Sequence, residues 1–215
     1  MEFRPFIKSP EPIEVSAWLR VVRHPVYACL GLRPVFAQHT RAEHEALRRW
    51  ASGRRQIVEL GVAEGGSAVA LAEVMSPSGV LTLVDPFHLS RWKSINATRR
   101  IAHRAVARVA KGTVRWVDQM SFEALPSWKG AIDFLLIDAD HEKSAVLADW
   151  NGWSAFVSPG GVVAFHDARV FQNGWPSPSD GPVVAVDELF RSSSPVEGWQ
   201  IIEEVHSLVV VRQDR

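Results

Sequence analysis

One loop constrains this chain more than any other feature. Glu59-Leu-Gly61-Val-Ala-Glu64-Gly65-Gly66-Ser67 carries the apolar run QIVELGV (56–62) into SAVALAEVM (67–75), a helical segment closed by Ser-Pro-Ser-Gly. An apolar run ending in glycine suits a strand buried on both faces. Glycines permit the tight turn and let backbone approach a ligand, and a helix amino terminus comes next. A plain strand-to-helix turn is the competing reading of the same residues.

The rest of the chain repeats the pattern. VLTLVD (80–85), TVRWVD (113–118), AIDFLLID (131–138) and GGVVAFHD (160–167) read as further strands. Between them lie a basic helix over 91–110, a weak helix over 121–125 and the helix SAVLADWNGW (144–153). Upstream, RAEHEALRRWAS (41–52) places Ala42, Ala46, Leu47 and Trp50 at helical spacing, and VSAWLRVVR (15–23) reads as a short helix. Strands alternating with helices predict a parallel sheet covered on both faces. After Asp167 the pattern changes to a Gly-, Pro- and Ser-rich loop, a helix VVAVDELFR (183–191), and two apolar runs, WQIIEEV and SLVVVR, joined near His206 as an antiparallel hairpin. The expectation is one α/β domain over 1–215: a cap segment 1–45, a core 55–170 and a lid loop 171–182 with Trp175 at its tip.

Composition narrows the function classes. Lys plus Arg and Asp plus Glu both number 24, so no net field draws the chain to nucleic acid or anionic lipid. Cys29 is the only cysteine, which excludes an intrachain disulfide and a thiolate zinc site. The start carries no apolar stretch of signal-peptide length, and no later run approaches ~18 apolar residues. A cytoplasmic protein is expected, with neither membrane nor nucleic acid as partner. The 9 Trp are expected mostly in the core.

The loop spacing is E-x-G-x-x-x-G-x-S, whereas nicotinamide folds prefer G-x-G-x-x-G. A carboxylate two residues before the first glycine suits a cationic amino-acid group and repels a pyrophosphate. Asp85 ends the second core strand, where an acid can accept ribose hydroxyls; as a turn residue before Pro86 it has a simpler reading. Asp138 and His166-Asp167 end two more strands at the same sheet edge, where carboxylates can share one hard cation. The alternative is that both are only turn carboxylates.

These residues carry a resemblance. E-L-G-V-x-x-G-x-S, VDPF, IDFLLIDADH and GGVVAFHD, over roughly 55–170, resemble the cation-dependent O-methyltransferases of the catechol, caffeoyl-CoA and bacterial sugar or antibiotic type. GPVVAVDELF resembles the sugar-modifying branch. The resemblance implies a Rossmann-like class I methyltransferase fold: a parallel sheet closed by a C-terminal antiparallel hairpin. It also implies S-adenosylmethionine as cofactor, contacted by Glu59, Gly61, Glu64, Gly65, Ser67, Asp85 and Asp138. Asp118, Gln119 and Ser121 would then lie near the adenine, although the family usually has a glycine about where Asp118 sits.

It further implies a divalent cation, Mg²⁺ or Mn²⁺, on Asp138, His166 and Asp167. His166-Asp167 replaces the family's usual Asp-Asn pair, so either His166 turns away or the site takes a softer ion. His141 stands where the catechol enzymes place a lysine base, and a histidine suits that proton transfer; its simpler role is capping the next helix. The other histidines (24, 39, 44, 88, 103, 206) read as surface or packing residues. The expected acceptor is a small molecule or oligosaccharide, with a sugar hydroxyl foremost, and a second copy of the chain is the expected protein partner. Competing readings are a catechol-type enzyme, a nicotinamide oxidoreductase and a non-catalytic cofactor-binding module.

Overall fold

The computed structural model describes residues 6–7, 35–87 and 97–214. The expected helix at 15–23, the start of the basic helix at 91–96, Cys29, His24 and His88 lie outside the described residues. Two short strands, β1 (Phe6–Ile7) and β2 (Phe36–Ala37), form a separate parallel pair. The main sheet is built from β3 (Gln56–Leu60), β4 (Val80–Val84), β5 (Thr113–Val117), β6 (Ile132–Ile137), β7 (Val157–Phe165), β8 (Trp199–Val205) and β9 (Leu208–Gln213). These seven strands lie in the order β5-β4-β3-β6-β7-β9-β8. Strands β3 to β7 pair in parallel, and β9 runs antiparallel to both β7 and β8. This is the expected wound sheet closed by a hairpin.

Successive side chains of a strand face opposite ways, so each apolar run feeds two cores. On one face Ile57, Leu81, Leu83, Phe134 and Leu136 pack with Leu47, Leu71 and Ile101. Those three come from helices α1 (Arg41–Ala51), α2 (Gly66–Ala72) and α3 (Ala97–Ala107). The short α4 (Ser121–Ala124) adds Ala124 to the other face. There Val58, Leu60, Leu135, Ile137 and Phe165 meet Val146, Trp150 and Trp153 of α5 (Lys143–Trp153) and Ala185 and Val186 of α6 (Gly181–Val186). Trp150 contacts Phe165, Phe190 and Trp199 with ring centroids 5.7, 5.1 and 4.7 Å away. Truncating so central an aromatic costs ~3–5 kcal/mol.

Two boundaries differ from the expectation for identifiable reasons. The helix expected at 183–191 starts at Gly181, because Pro182 sits in the first turn, where its missing N–H costs nothing. It then widens into a π-type turn over Asp187–Arg191. The last parallel strand begins at Val157 rather than Gly160.

Helix α1 is tied down at both ends. Thr40 and Glu43 form a reciprocal capping box at its start: the Glu43 N–H donates to Thr40 Oγ1 (3.2 Å), and the Thr40 N–H donates to Glu43 Oε2 (2.6 Å). At its other end the Arg49 guanidinium and the Trp50 indole both donate to Glu203 on β8, the indole at 2.6 Å.

Candidate active site at the carboxyl edge of the sheet

Strand register brings the site together. Leu60 pairs with Val84 and Ile137, Ile137 with Phe165, and Val84 with Val117. The ladder runs one step further through Gly61 N to Val84 O (2.9 Å), Asp138 N to Leu60 O (2.9 Å) and His166 N to Ile137 O (3.1 Å). Gly61, Asp85, Asp138 and His166 therefore stand in one row at the carboxyl edge, where the strand order reverses between β3 and β6. That reversal is the usual ligand crevice of open α/β sheets.

A cavity of about 190 Å³ opens there. It is lined by the glycine-loop residues Gly61, Val62, Ala63, Gly66 and Ser67, by Asp85, by Asp138, Ala139 and His141, and by Gln38 and His39. Asp85 shapes the glycine loop: its Oδ2 accepts the Val62 and Ala63 N–H groups at 2.8 and 2.9 Å, and its Oδ1 accepts that of Phe87 at 2.6 Å. Gly61 and Gly65 both have positive φ, +83° and +85°. At Gly61 the demand for glycine comes from the protein itself, since a Cβ there would lie 2.1 Å from the Asp138 carbonyl oxygen. Close approach of two strand ends, rather than of a ligand, excludes a side chain.

Glu59 is fully buried beside Ser67, whose hydroxyl donates to its Oε1. Its Oε2 has no hydrogen-bond partner among the described residues. Burial raises the Glu59 pKa well above the usual carboxylate value, with Asp138 and Asp85 adding repulsion. Glu59 itself stands outside the cavity lining, behind Ser67; a buried acid with an unmet oxygen there ionises when a cationic group comes beside it. Glu64 is half-buried and lies outside the cavity lining.

The expected adenine residues stand outside the lining as well. Asp118 pairs with Arg99 at 2.8 Å, Ser121 bonds Asp149, and the Gln119 N–H turns back to Val117 O at 2.9 Å.

Two histidines flank one pair of carboxylates. His166, with its side chain 3% exposed, places Nδ1 3.3 Å from an oxygen of Asp138 and 3.3 Å from one of Asp167. Neither contact has the alignment of a hydrogen bond, so this buried nitrogen has no hydrogen-bond partner among the described residues. From the solvent side His141, 54% exposed, brings Nε2 to 3.9 Å from Asp138 and 3.6 Å from Asp167. One ligand atom each from Asp138, His141 and Asp167 lies within 4.8 Å of the others. Two carboxylates and the His141 imidazole at this spacing fit a divalent cation; His166 is not one of the three and stands behind the two carboxylates.

Charge binds this cluster. Burial opposes the imidazolium of His166, but the charge of Asp138 and the contacts to Asp138, Asp167 and Glu43 raise its pKa well above the ordinary value. Burial would raise Asp138, yet His166 and His141 hold it far below the usual carboxylate range. For His141, Asp138 raises the pKa, burial opposes, and Asp167 adds to the rise.

Sequence reasoning missed three residues around this cluster. His39, assigned to packing, lines the cavity and is buried; burial, His166 and His44 push its pKa down to about 3, so it is neutral. Its Nε2 lies 3.0 Å from His44 Nδ1. Glu43 and Ser207 are both fully buried behind His166. The one signal in the sequence was Thr40-x-x-Glu43, which marks a helix start and not burial. Within the expected lid loop, the Trp175 indole N–H donates to Asp167 Oδ1, and its ring packs edge-on to Phe171 at 5.3 Å.

A family model described as a methyltransferase domain matches residues 58–168. A Mycobacteroides abscessus protein named "Putative O-methyltransferase" is 33% identical over 147 residues, 65% of this chain. The match spans 62% of that relative's length. Among solved structures, cofactor-bound Rv0187 from MTB is similar at TM-score 0.64 and 18% identity, covering 96% of this chain and 99% of that one. TomG from Streptomyces achromogenes, an O-methyltransferase involved in tomaymycin synthesis and solved with SAM, gives TM-score 0.57 at 19% identity, over 89% and 88%. At these identities the structural likeness is one of fold.

Proposed function

The chain belongs to the methyltransferase-domain family, and from that premise we propose that it is an S-adenosylmethionine-dependent, divalent-metal-assisted O-methyltransferase of a small molecule, with a sugar or glycoside as acceptor. The observation that carries this reading is the continuous cavity between the glycine loop and the Asp138–His141 edge. It sets a cofactor cradle against groups able to activate a hydroxyl.

When bound, S-adenosylmethionine supplies a methyl already activated on a sulfonium, and the divalent cation supplies Lewis acidity at the acceptor oxygen. Glu59 and Ser67 bind the amino-acid end of the cofactor, and Asp85 holds the loop and receives ribose hydroxyls. Asp138, His166 and Asp167 hold the cation. His141, at the rim, takes the hydroxyl proton, and the adjacent carboxylates favour the imidazolium that results. Alignment and deprotonation are the two demands of this transfer, and this set of residues meets both.

Support for a sugar comes from the lining. Gln38, His39, Asp138 and His141 are polar residues of that lining, which suits a polyhydroxyl ring better than a flat phenol. Trp175 does not contribute to that argument, since its indole is engaged on Asp167. The test is transfer of labelled methyl from S-adenosylmethionine to a panel of glycosides and catechols, in EDTA and then with Mg²⁺ or Mn²⁺. Cation-dependent labelling of glycosides is expected. Labelling of catechols alone would replace the sugar reading, and full turnover in EDTA would remove the metal.

A further inference from the structure

The segment before α1 puts a further imidazole beside the cavity. His39 is 3% exposed and lines the cavity, and its ring meets that of His166 edge-on, with centroids 6.5 Å apart at 82°. It therefore stands with the Asp138–His166 edge, to which hydroxyl activation is assigned above. The ring is held from several directions. Its Nε2 lies 3.0 Å from His44 Nδ1, and the two rings are within 18° of parallel. Ala37 and Thr40 on either side are buried, and Thr40 is fixed by the capping box and by His206 Nδ1, 2.8 Å from its Oγ1. That leaves Nδ1. It forms no hydrogen bond among the described residues, yet it is not sealed in the interior. With the ring so little exposed, the space open to this atom is the cavity.

We infer that His39 is a specificity-determining residue for the acceptor: its Nδ1 hydrogen-bonds a second acceptor hydroxyl, apart from the one methylated, and so selects polyhydroxyl molecules. The inference rests on the methyltransferase reading above and names the group that chooses its substrate. In either tautomer Nδ1 donates or accepts one hydrogen bond, and a hydroxyl can do both. The match thus holds whichever nitrogen carries the proton. A C–H edge answers neither, and it leaves a polar atom shut against an apolar group. A site that hydrogen-bonds a substrate hydroxyl rejects the analogue lacking it, because the protein's own group is then stranded. The fixed ring adds to this, since little freedom is lost on binding. His39 precedes residues 58–168, which match the methyltransferase domain, so the group that reads the acceptor comes from outside the matched core.

The experiment measures transfer of labelled methyl from S-adenosylmethionine to methyl glucoside, methyl mannoside, methyl galactoside and their monodeoxy analogues, with S-adenosylhomocysteine affinity by calorimetry as a second readout. Wild type, His39→Asn and His39→Gln are compared. Asn places its amide near the position of Nδ1 and Gln near that of Nε2, so the pair separates the atom open to the cavity from the one that meets His44. Apart from the analogue lacking the methylated hydroxyl, one monodeoxy analogue should lose at least about tenfold in kcat/KM with wild type. His39→Asn should keep most of that discrimination and His39→Gln should lose it, with S-adenosylhomocysteine affinity close to wild type in both. Should His39→Gln not fold, His39→Leu, apolar and of similar size, makes the same comparison. No discrimination in wild type, unchanged discrimination in folded His39→Gln, or equal loss in both variants overturns the inference. A fall in S-adenosylhomocysteine affinity with discrimination intact assigns His39 to the cofactor and overturns it as well. Transfer to catechols alone, or to no glycoside while S-adenosylhomocysteine still binds, overturns it and spares the cofactor reading. No response to S-adenosylhomocysteine removes the methyltransferase reading and the inference with it.

Discussion

Trp175 donates its indole N–H to Oδ1 of Asp167, a residue whose backbone is itself in the left-handed region at φ +53°. The loop after β7 therefore folds back and clamps a carboxylate at the strand end. The same loop is tied elsewhere: Phe171 stacks on His206 at 4.9 Å, and His206 Nδ1 lies 2.8 Å from Thr40 Oγ1. Asp167 is thus oriented from two sides, by the indole and by the hairpin turn, where the Ala168 N–H donates to Ser207 O at 2.9 Å.

Trp175→Phe removes the donor while keeping a ring in place. A hydrogen bond to a charged group contributes ~1.5–3 kcal/mol, so the cation dissociation constant should rise by about tenfold or more, with S-adenosylhomocysteine affinity little changed. Cation titration of the two proteins compares them. An unchanged constant would mean that Asp167 is oriented by its backbone alone.

Asp85 is expected to serve the cofactor twice, by holding the glycine loop and by receiving ribose hydroxyls. Wild type should bind S-adenosylhomocysteine in the micromolar range and melt at higher temperature with it. Asp85→Ala frees three N–H groups of the loop and should weaken binding by at least about tenfold. NAD binding without any response to S-adenosylhomocysteine would refute the cofactor assignment.

His141→Ala should lose ~10²–10⁴-fold in turnover, the usual contribution of general-base catalysis. Cofactor affinity should stay nearly intact. In wild type the rate should rise with pH through the deprotonation of this histidine, whose pKa Asp138 and Asp167 raise. In the cation-free protein that pKa lies above the ordinary value of ~6.5, and a cation on the two carboxylates lowers it. Near-normal turnover in His141→Ala would move the base elsewhere.

Asp149 on α5 is a stability prediction. Burial raises its pKa to about 6, against an opposing hydrogen bond from Ser121. The folded state then keeps this proton longer than the unfolded chain does. As pH rises from about 4 to about 6 the unfolded carboxyl ionises first, and stability falls; above about 6 the penalty is constant. Its size is on the order of 1–3 kcal/mol. Asp149→Asn should remove it, so denaturation midpoints of variant and wild type should converge near pH 4 and part by pH 7. Parallel curves across that range would rule out the assignment.

Most of the fold was legible because its signals are local. Runs such as IDFLLI and VVAF are apolar without alternation, as strands covered on both faces must be, and Gly, Pro or Asp marks their ends. Parallel register then carries Gly61, Asp85, Asp138 and His166 to one edge without further information. Helix ends were less legible, since the helix holding Pro182 opens two residues before the apolar pattern begins.

The sequence by itself determined the sheet, the glycine loop and the row of acids at its edge, because periodicity and turn chemistry act between near neighbours. Tertiary structure alone decided what stands around that row. In RAEHEALRRW, Glu43 looks like any acid on a solvated helix face. It becomes a buried partner of His166 only because α1 docks against the β8–β9 turn and brings Ser207 to it. His39 and Trp175 obey the same logic. A polar side chain takes its role from the charges and dipoles brought beside it, and segments far apart in the chain supply those here.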